Sequence, residues 1–86
     1  MRLTAEEFAE RERRLLYIAK KLREAKRIEA LLTERGIDYL VETDTYLGGM
    51  IFVSERVGAF FYVDEPSWPA AAAALREKGY RVAAEG

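Results

Sequence analysis

The fold depends on five consecutive apolar residues, Leu15-Leu16-Tyr17-Ile18-Ala19. Such a run is compatible either with a segment of a longer amphipathic helix or with a buried β-strand. No Gly or Pro occurs between Thr4 and Arg35, and nothing in Glu10–Arg14 resembles a turn. We therefore favour one helix over residues 4–35. The alternative is a strand at 15–19 followed by a shorter helix from Lys21 to Arg35.

The start and the end of this helical region carry clear signals. Thr4 and Glu7 have the spacing of a capping box, with Leu3 and Phe8 at the positions of a hydrophobic staple. Apolar residues recur at heptad spacing through the region, and Gly36 supplies a C-terminal stop. These signals predict a long N-terminal helix.

Beyond Gly36 the pattern changes to strands. We expect strands at 37–43, 50–53 and 58–63, with a loop at 44–49, a hairpin connection at 54–57 and a last strand at 80–84. Ser67 is a candidate cap for a short helix at 70–75 that stops at Gly79. The predicted fold is α+β: an antiparallel sheet of three to four strands packed against two helices. We expect one domain over 1–86, with an N-terminal helical arm (1–14) and an α+β core (15–86).

The composition excludes several classes of protein. The chain has 86 residues, 14 Lys+Arg, 15 Asp+Glu, a net charge of -1, and neither Cys nor His. Disulfide scaffolds, Cys/His zinc sites and Cys-His or Ser-His catalytic pairs are therefore impossible. No apolar run has the length of a membrane span and no secretory signal is recognisable, so we expect a cytoplasmic protein without membrane partners.

The stretch from Glu24 to Ile37, EAKRIEALLTERGI, resembles the first helix of small prokaryotic signal-transducing domains related to the P-II nitrogen-signalling proteins. In that family a helix ending in a Leu-Leu pair and Gly-Ile leads into a strand and a glycine-containing loop. A further strand and an alanine-rich helix follow, as do 58–63 and 70–75 here. The resemblance implies a ferredoxin-like bacterial domain with a regulatory or signal-transducing role and a small molecule or protein as partner. It assigns no binding residues.

The residue types disfavour catalysis. General-base work would have to come from Asp, Glu, Lys or Tyr, and the two serines, Ser54 and Ser67, have simpler roles in a turn and a cap. Glu42, Asp44 and the acids around the hairpin match no calcium loop, and 43–49 lacks the lysine and helix of a phosphate loop. We expect no enzyme activity, no cofactor and no metal.

Single-stranded nucleic acid is the alternative ligand. Residues 56–63 are similar to the basic, glycine and aromatic pattern of an RNA-recognition-motif strand, and 16–18 would be its partner strand. This hypothesis needs the strand interpretation of 15–19. The flanking acids Asp64 and Glu65 and a pI of about 5.5 oppose it.

Self-association is the expectation that we prefer. The strand at 58–63 is apolar on both faces, and a 32-residue helix of ~48 Å would overhang a domain ~30 Å across. Both features predict a partner, most simply a second copy in a two-fold homodimer. The alternative is a monomer in which the helix breaks near Arg14 and folds back across the open face of the sheet. The candidate contact residues are aromatic or large and apolar: Phe8, Leu15, Tyr39, Tyr46, Phe60, Tyr62 and Trp68.

Overall fold

A computed structural model of the chain describes residues 1–48 and 54–83, and the side chains of all of these except 44–48 and 54–57. Along the chain the elements are β1 (Arg2–Leu3), α1 (Ala5–Phe8), β2 (Arg13–Ala19), α2 (Leu22–Glu34), β3 (Tyr39–Gly48), β4 (Ser54–Asp64), a 3₁₀ turn (Glu65–Ser67) and α3 (Trp68–Glu77). The fold is α+β, with two main helices and one four-stranded sheet.

The prediction of a long N-terminal helix is wrong. Its start is as expected: the Thr4 hydroxyl accepts from the Glu7 amide at 3.2 Å, and the Glu7 carboxylate accepts from the Thr4 amide at 2.9 Å. The helix nevertheless ends after Phe8, and residues 13–19 form β2. Pairing with β4 satisfies the backbone of this apolar run and buries Leu16 and Ala19 in the main core. These long-range contacts outweigh the local helical pattern.

Helix α2 follows the alternative interpretation. Ala25, Ile28, Leu31 and Leu32 form its buried stripe, spaced as the helical period requires. At its end Gly36 adopts φ +69°, and the Ile37 amide donates to the Leu32 carbonyl oxygen at 2.9 Å. Glycine adopts this left-handed backbone conformation without a Cβ penalty, which explains why the helix stops there.

The sheet is mixed rather than wholly antiparallel. Its strand order is β1-β3-β4-β2. Strand β4 runs antiparallel to both β2 and β3, but β1 pairs with β3 in parallel through Arg2–Tyr39 and Leu3–Leu40. The prediction missed β1 because two residues are too short to show a strand pattern.

The β3–β4 pairing differs from the predicted strands and loops. Residues 44–48, predicted as a loop, continue β3, and residues 54–57, predicted as a hairpin connection, belong to β4. The predicted strand 50–53 lies outside the described residues. The Gly-Gly pair and Ser54 predict turns from local propensity alone. Propensity is a weak guide here, because long-range strand pairing decides the structure.

The C-terminal third contains α3 and an extended tail. Ser67 occupies the N-cap position of α3, as predicted, but its side chain makes no capping hydrogen bond. Asp64 caps the preceding 3₁₀ turn: its carboxylate accepts from the Ser67 amide at 3.0 Å. The alanine-rich helix packs closely, with Ala71, Ala72 and Leu75 fully buried. In the described part of the predicted last strand, 80–83, the chain forms no regular strand, although the Ala83 amide donates to the Leu16 carbonyl oxygen at 2.8 Å.

The main core lies between one sheet face and the helices α2 and α3. Its largest fully buried side chains include Phe61, Leu16, Ile28 and Leu32. A second, smaller cluster of Leu3, Phe8 and Leu40 lies on the opposite face of the sheet, with Tyr62 packed against it. None of the helices within residues 1–48 and 54–83 has the length and apolar character to span a membrane.

Candidate binding surface

The sheet face opposite α2 and α3 carries a group of partly exposed apolar side chains. Leu15 lies opposite Tyr62, and Ile18 lies opposite Phe60, on the antiparallel strands β2 and β4. Side chains of directly opposed residues share a face of the sheet. All four are between buried and exposed. We call Leu15, Ile18, Phe60 and Tyr62 the open-face patch.

A β-bulge makes this patch possible. The register shifts between Leu15 and Tyr17, so that Leu16 is the extra residue of β2. Leu16 is fully buried in the main core, and Tyr17 lies opposite Phe61 on the helix-covered face. Because of this extra residue, Leu15 and Ile18, three positions apart, face the same way. A regular strand would have placed them on opposite faces.

Helix α1 covers one end of this face. Phe8 is 1% exposed and packs in the cluster with Leu3 and Leu40, next to Tyr62. The Arg11 guanidinium lies 5.4 Å from the centre of the Phe8 ring. The cover ends there, because α1 has only four residues. The open-face patch therefore begins where the small cluster ends.

Charges of opposite sign lie on β2 and β3, the two strands that flank β4. Arg13 of β2 and Glu42 of β3 form an ion pair of 3.1 Å, and the Arg13 guanidinium lies 4.9 Å from the centre of the Tyr62 ring. Beside them Arg11 bridges Asp64 at 3.2 Å and Asp38 at 3.4 Å. Because β4 lies between β2 and β3, the Arg13–Glu42 pair crosses β4 on this face, against Tyr62 of the patch.

The structure divides the sequence candidates into three groups. Leu15, Phe60 and Tyr62 come together in the open-face patch. Phe8, Tyr39 and Trp68 are buried, with 1%, 3% and 6% of their surface exposed. Phe8 belongs to the small cluster, and Tyr39 and Trp68 belong to the main core. Tyr46 lies in β3, but its side chain is not among those described.

The buried aromatic candidates have polar partners. The Tyr39 hydroxyl donates to the Glu29 carboxylate at 3.0 Å, and burial raises the pKa of Tyr39. The Trp68 indole nitrogen donates to the Leu15 carbonyl oxygen at 3.0 Å, while the Arg14 guanidinium lies 4.0 Å from the ring centre. These bonds satisfy polar groups that burial would otherwise leave unpaired.

Ile18 is the member of the open-face patch that the sequence candidates did not include. The alternative interpretation of 15–19 as a strand includes Ile18. In a regular strand, however, successive side chains alternate between the two faces, which would put Ile18 on the face opposite to Leu15. The bulge that aligns them has no local signature in the sequence. It follows from the packing of Leu16 into the core.

Groups suited to chemistry are sparse on the described surface. Within residues 1–48 and 54–83 no three acidic side chains are gathered as a metal site would require. The one strongly shifted group described is Tyr17, where burial, and then the neighbouring Glu24, raise the pKa to about 12. A phenol with a raised pKa is a poorer base and nucleophile near neutral pH. The arrangement is suited to contact with another surface.

Comparison with known proteins found no relative of this chain. The chain matches no protein-family model, no curated protein and no solved structure.

Proposed function

We propose that the protein is a cytoplasmic, non-enzymatic binding module that acts through self-association. The observation that carries the proposal is the open-face patch of Leu15, Ile18, Phe60 and Tyr62, which no described element covers. An apolar sheet face of this kind is stabilised when another surface removes it from water. A regulatory or signal-transducing role, with a small molecule or protein as a further partner, rests on the resemblance of residues 24–37.

A second copy of the chain is the occupant that the charges favour. A two-fold axis lying between two facing patches, parallel to β4, sets the β2 side of one copy over the β3 side of the other. Because Arg13 and Glu42 already pair within each copy, the two facing surfaces meet without leaving either charge unpaired. An isologous interface requires this kind of self-complementarity.

The topology supports a ferredoxin-like assignment as part of this proposal. Strand β4 lies between β2 and β3, which are connected by α2, as in a split β-α-β unit. The tail at Ala83 meets the outer edge of β2 at Leu16, the position of a fourth strand in such a domain.

Single-stranded nucleic acid is the competing ligand, and two observations oppose it. Tyr17, the aromatic residue of the strand 16–18 in the RNA-recognition-motif hypothesis, lies opposite Phe61 on the helix-covered face and not on the open face. On the open face the Arg13 guanidinium already lies over Tyr62, and Glu42 lies opposite Phe60. A base could stack on Tyr62 only by displacing that cation, close to a carboxylate that repels phosphate.

Native mass spectrometry of Ile18→Glu, against wild type, tests the proposal. We expect wild type at a multiple of 9.8 kDa and Ile18→Glu in a smaller assembly, because a carboxylate in the patch would be desolvated on association. Leu22→Glu is the matched control, since Leu22 is 73% exposed on α2, away from the patch. It should keep the wild-type mass.

Circular dichroism of each variant shows whether it is folded. If Ile18→Glu does not fold, Leu15→Glu at the rim of the same patch replaces it. A wild-type monomer, or a folded patch variant with the wild-type mass, would overturn the proposal. Binding of a labelled single-stranded oligonucleotide that weakens steeply with salt, and is lost in Phe60→Ala, would replace it by the nucleic-acid function.

A further inference from the structure

The outer edge of β3 is open over most of its length. On that side β1 pairs only with Tyr39 and Leu40, and at Thr4 the chain turns away into α1. Among the described residues no strand pairs with β3 on this side from Val41 to Gly48. A cleft of about 450 Å³, lined by residues 2–5 and 40–42, marks the point where β1 leaves. An edge of this kind offers unpaired backbone N–H and C=O groups to another strand.

The same part of β3 belongs to a two-stranded ribbon. Strand β2 pairs with β4 as far as Ala59, whereas β3 and β4 continue together from Asp44–Gly58 to Gly48–Ser54. Two strands without a third are marginally stable in water. A further strand along the open edge would stabilise the ribbon as well as satisfy its backbone.

We propose that β3 of a second copy pairs with this edge, antiparallel, around a two-fold axis that passes through Thr45 perpendicular to the sheet. The inference rests on the proposed self-association and adds a second contact to it. The two sheets would join into one continuous sheet, and the two ribbons into a four-stranded one.

The register follows from length and charge. Antiparallel pairing about such an axis sets residue 45−n opposite residue 45+n, so Glu42 meets Gly48, Thr43 meets Leu47 and Asp44 meets Tyr46. Centring the axis on residue 44 pairs an equally long stretch, but it sets Asp44 opposite its own copy. Like charges directly opposite each other destabilise a ladder. A centre at 43 or 46 pairs fewer residues, because the pairing of β3 with β1 extends to Leu40 and β3 ends at Gly48.

This charge pattern is the reason for choosing a second copy as the occupant. In the register centred on Thr45 both acidic residues of the edge fall opposite neutral residues of an identical strand. An identical strand therefore fits this edge without placing like charges opposite each other. Each copy would supply the third strand for the two-stranded ribbon of the other.

Single-cysteine crosslinking tests the register, because the chain has no native cysteine to interfere. Across the axis two Thr45→Cys residues would have Cα atoms about 5 Å apart, within disulfide range. Two Thr43→Cys residues would be roughly 14 Å apart, four strand positions along, and out of range. Thr43→Cys is thus a control that matches in residue type, strand and composition.

After mild oxidation and non-reducing electrophoresis, we expect Thr45→Cys to give at least fivefold more of the band at twice 9.8 kDa than Thr43→Cys. Equal yields from the two variants, or no band from Thr45→Cys, would overturn the edge pairing. The Ile18→Glu substitution separates the two proposals. In that background the edge contact predicts an unchanged Thr45→Cys yield, even where the face contact has been lost.

Discussion

At the scale of single residues, Tyr17 has the most unusual environment described. Its ring meets the Tyr80 ring edge-on, with centroids 5.6 Å apart, and lies beside Glu24. Burial first, and then the Glu24 carboxylate, disfavour the phenolate and raise the pKa of Tyr17 to about 12. In the unfolded chain this hydroxyl would titrate near 10.

This difference makes folding stability depend on alkaline pH. Between pH 10 and 12 the unfolded chain loses the Tyr17 proton while the folded chain keeps it, so the free energy of unfolding should fall as pH rises. The contribution is fully present below pH 10. Urea unfolding of wild type and Tyr17→Phe at pH 8, 10 and 11 measures it. The fall should be smaller in Tyr17→Phe, and equal slopes in the two proteins would contradict the assignment.

Sequence alone could not supply the contacts of Trp68. Its position near the start of α3 was predictable from the Ser67 and Pro69 signals around it. The bond from its indole nitrogen to the Leu15 carbonyl oxygen joins residues 53 positions apart. That carbonyl is accessible to it at the bulge of β2, a feature without a local signal. Residue types at the site were therefore predictable, whereas their pairing was not.

At the scale of elements, α1 matters more than its four residues suggest. A helix this short has no independent stability. It is held by its capping box and by Phe8, whose ring is 1% exposed between Leu3 and Leu40. Phe8, which we expected to extend beyond the domain on a long helix, instead fixes α1 to the sheet.

Phe8→Ala should therefore destabilise the fold strongly. Removing a buried phenylalanine costs about 3–5 kcal/mol, of which part is the cavity left behind. Leu22→Ala, at a residue 73% exposed, should change the free energy of unfolding by less than about 0.5 kcal/mol. Chemical denaturation of both variants checks this. A Phe8→Ala loss near that of Leu22→Ala would mean that the small cluster does not support the fold.

The elements show where sequence reasoning succeeded and failed. Helix α2, with its buried stripe and Gly36 stop, follows from local pattern, as does most of α3. Residues 13–19 do not, because neither a proline nor a glycine separates them from α1 or α2. Their strand conformation is decided by pairing with β4, at least 40 residues away in the chain. Long-range pairing overrides local propensity there.

At the scale of the whole molecule, association and folding should be coupled. A chain of 86 residues has a limited core, so the proposed burial of the open-face patch against a second copy would add to its stability. For a two-state dimer the midpoint of unfolding depends on protein concentration, unlike that of a monomer.

We expect the Tm of wild type to rise by about 4 °C for each tenfold increase in protein concentration. Calorimetry at three concentrations measures the slope. Ile18→Glu should give a shallower slope, and Leu22→Glu the wild-type slope. A wild-type Tm independent of concentration over two decades would argue against coupled association.

The bulge in β2 has a consequence for how large an assembly can become. At this bulge the Leu15 and Leu16 carbonyl oxygens already accept from the Trp68 indole and the Ala83 amide. The β2 side of the sheet is thereby obstructed, while the β3 side is open. A sheet that can be extended on one side alone forms a closed pair when its copies meet, and a filament cannot grow by repeated strand addition. In the proposed edge pairing, the irregularity in β2 would therefore prevent further strand addition and keep the assembly finite.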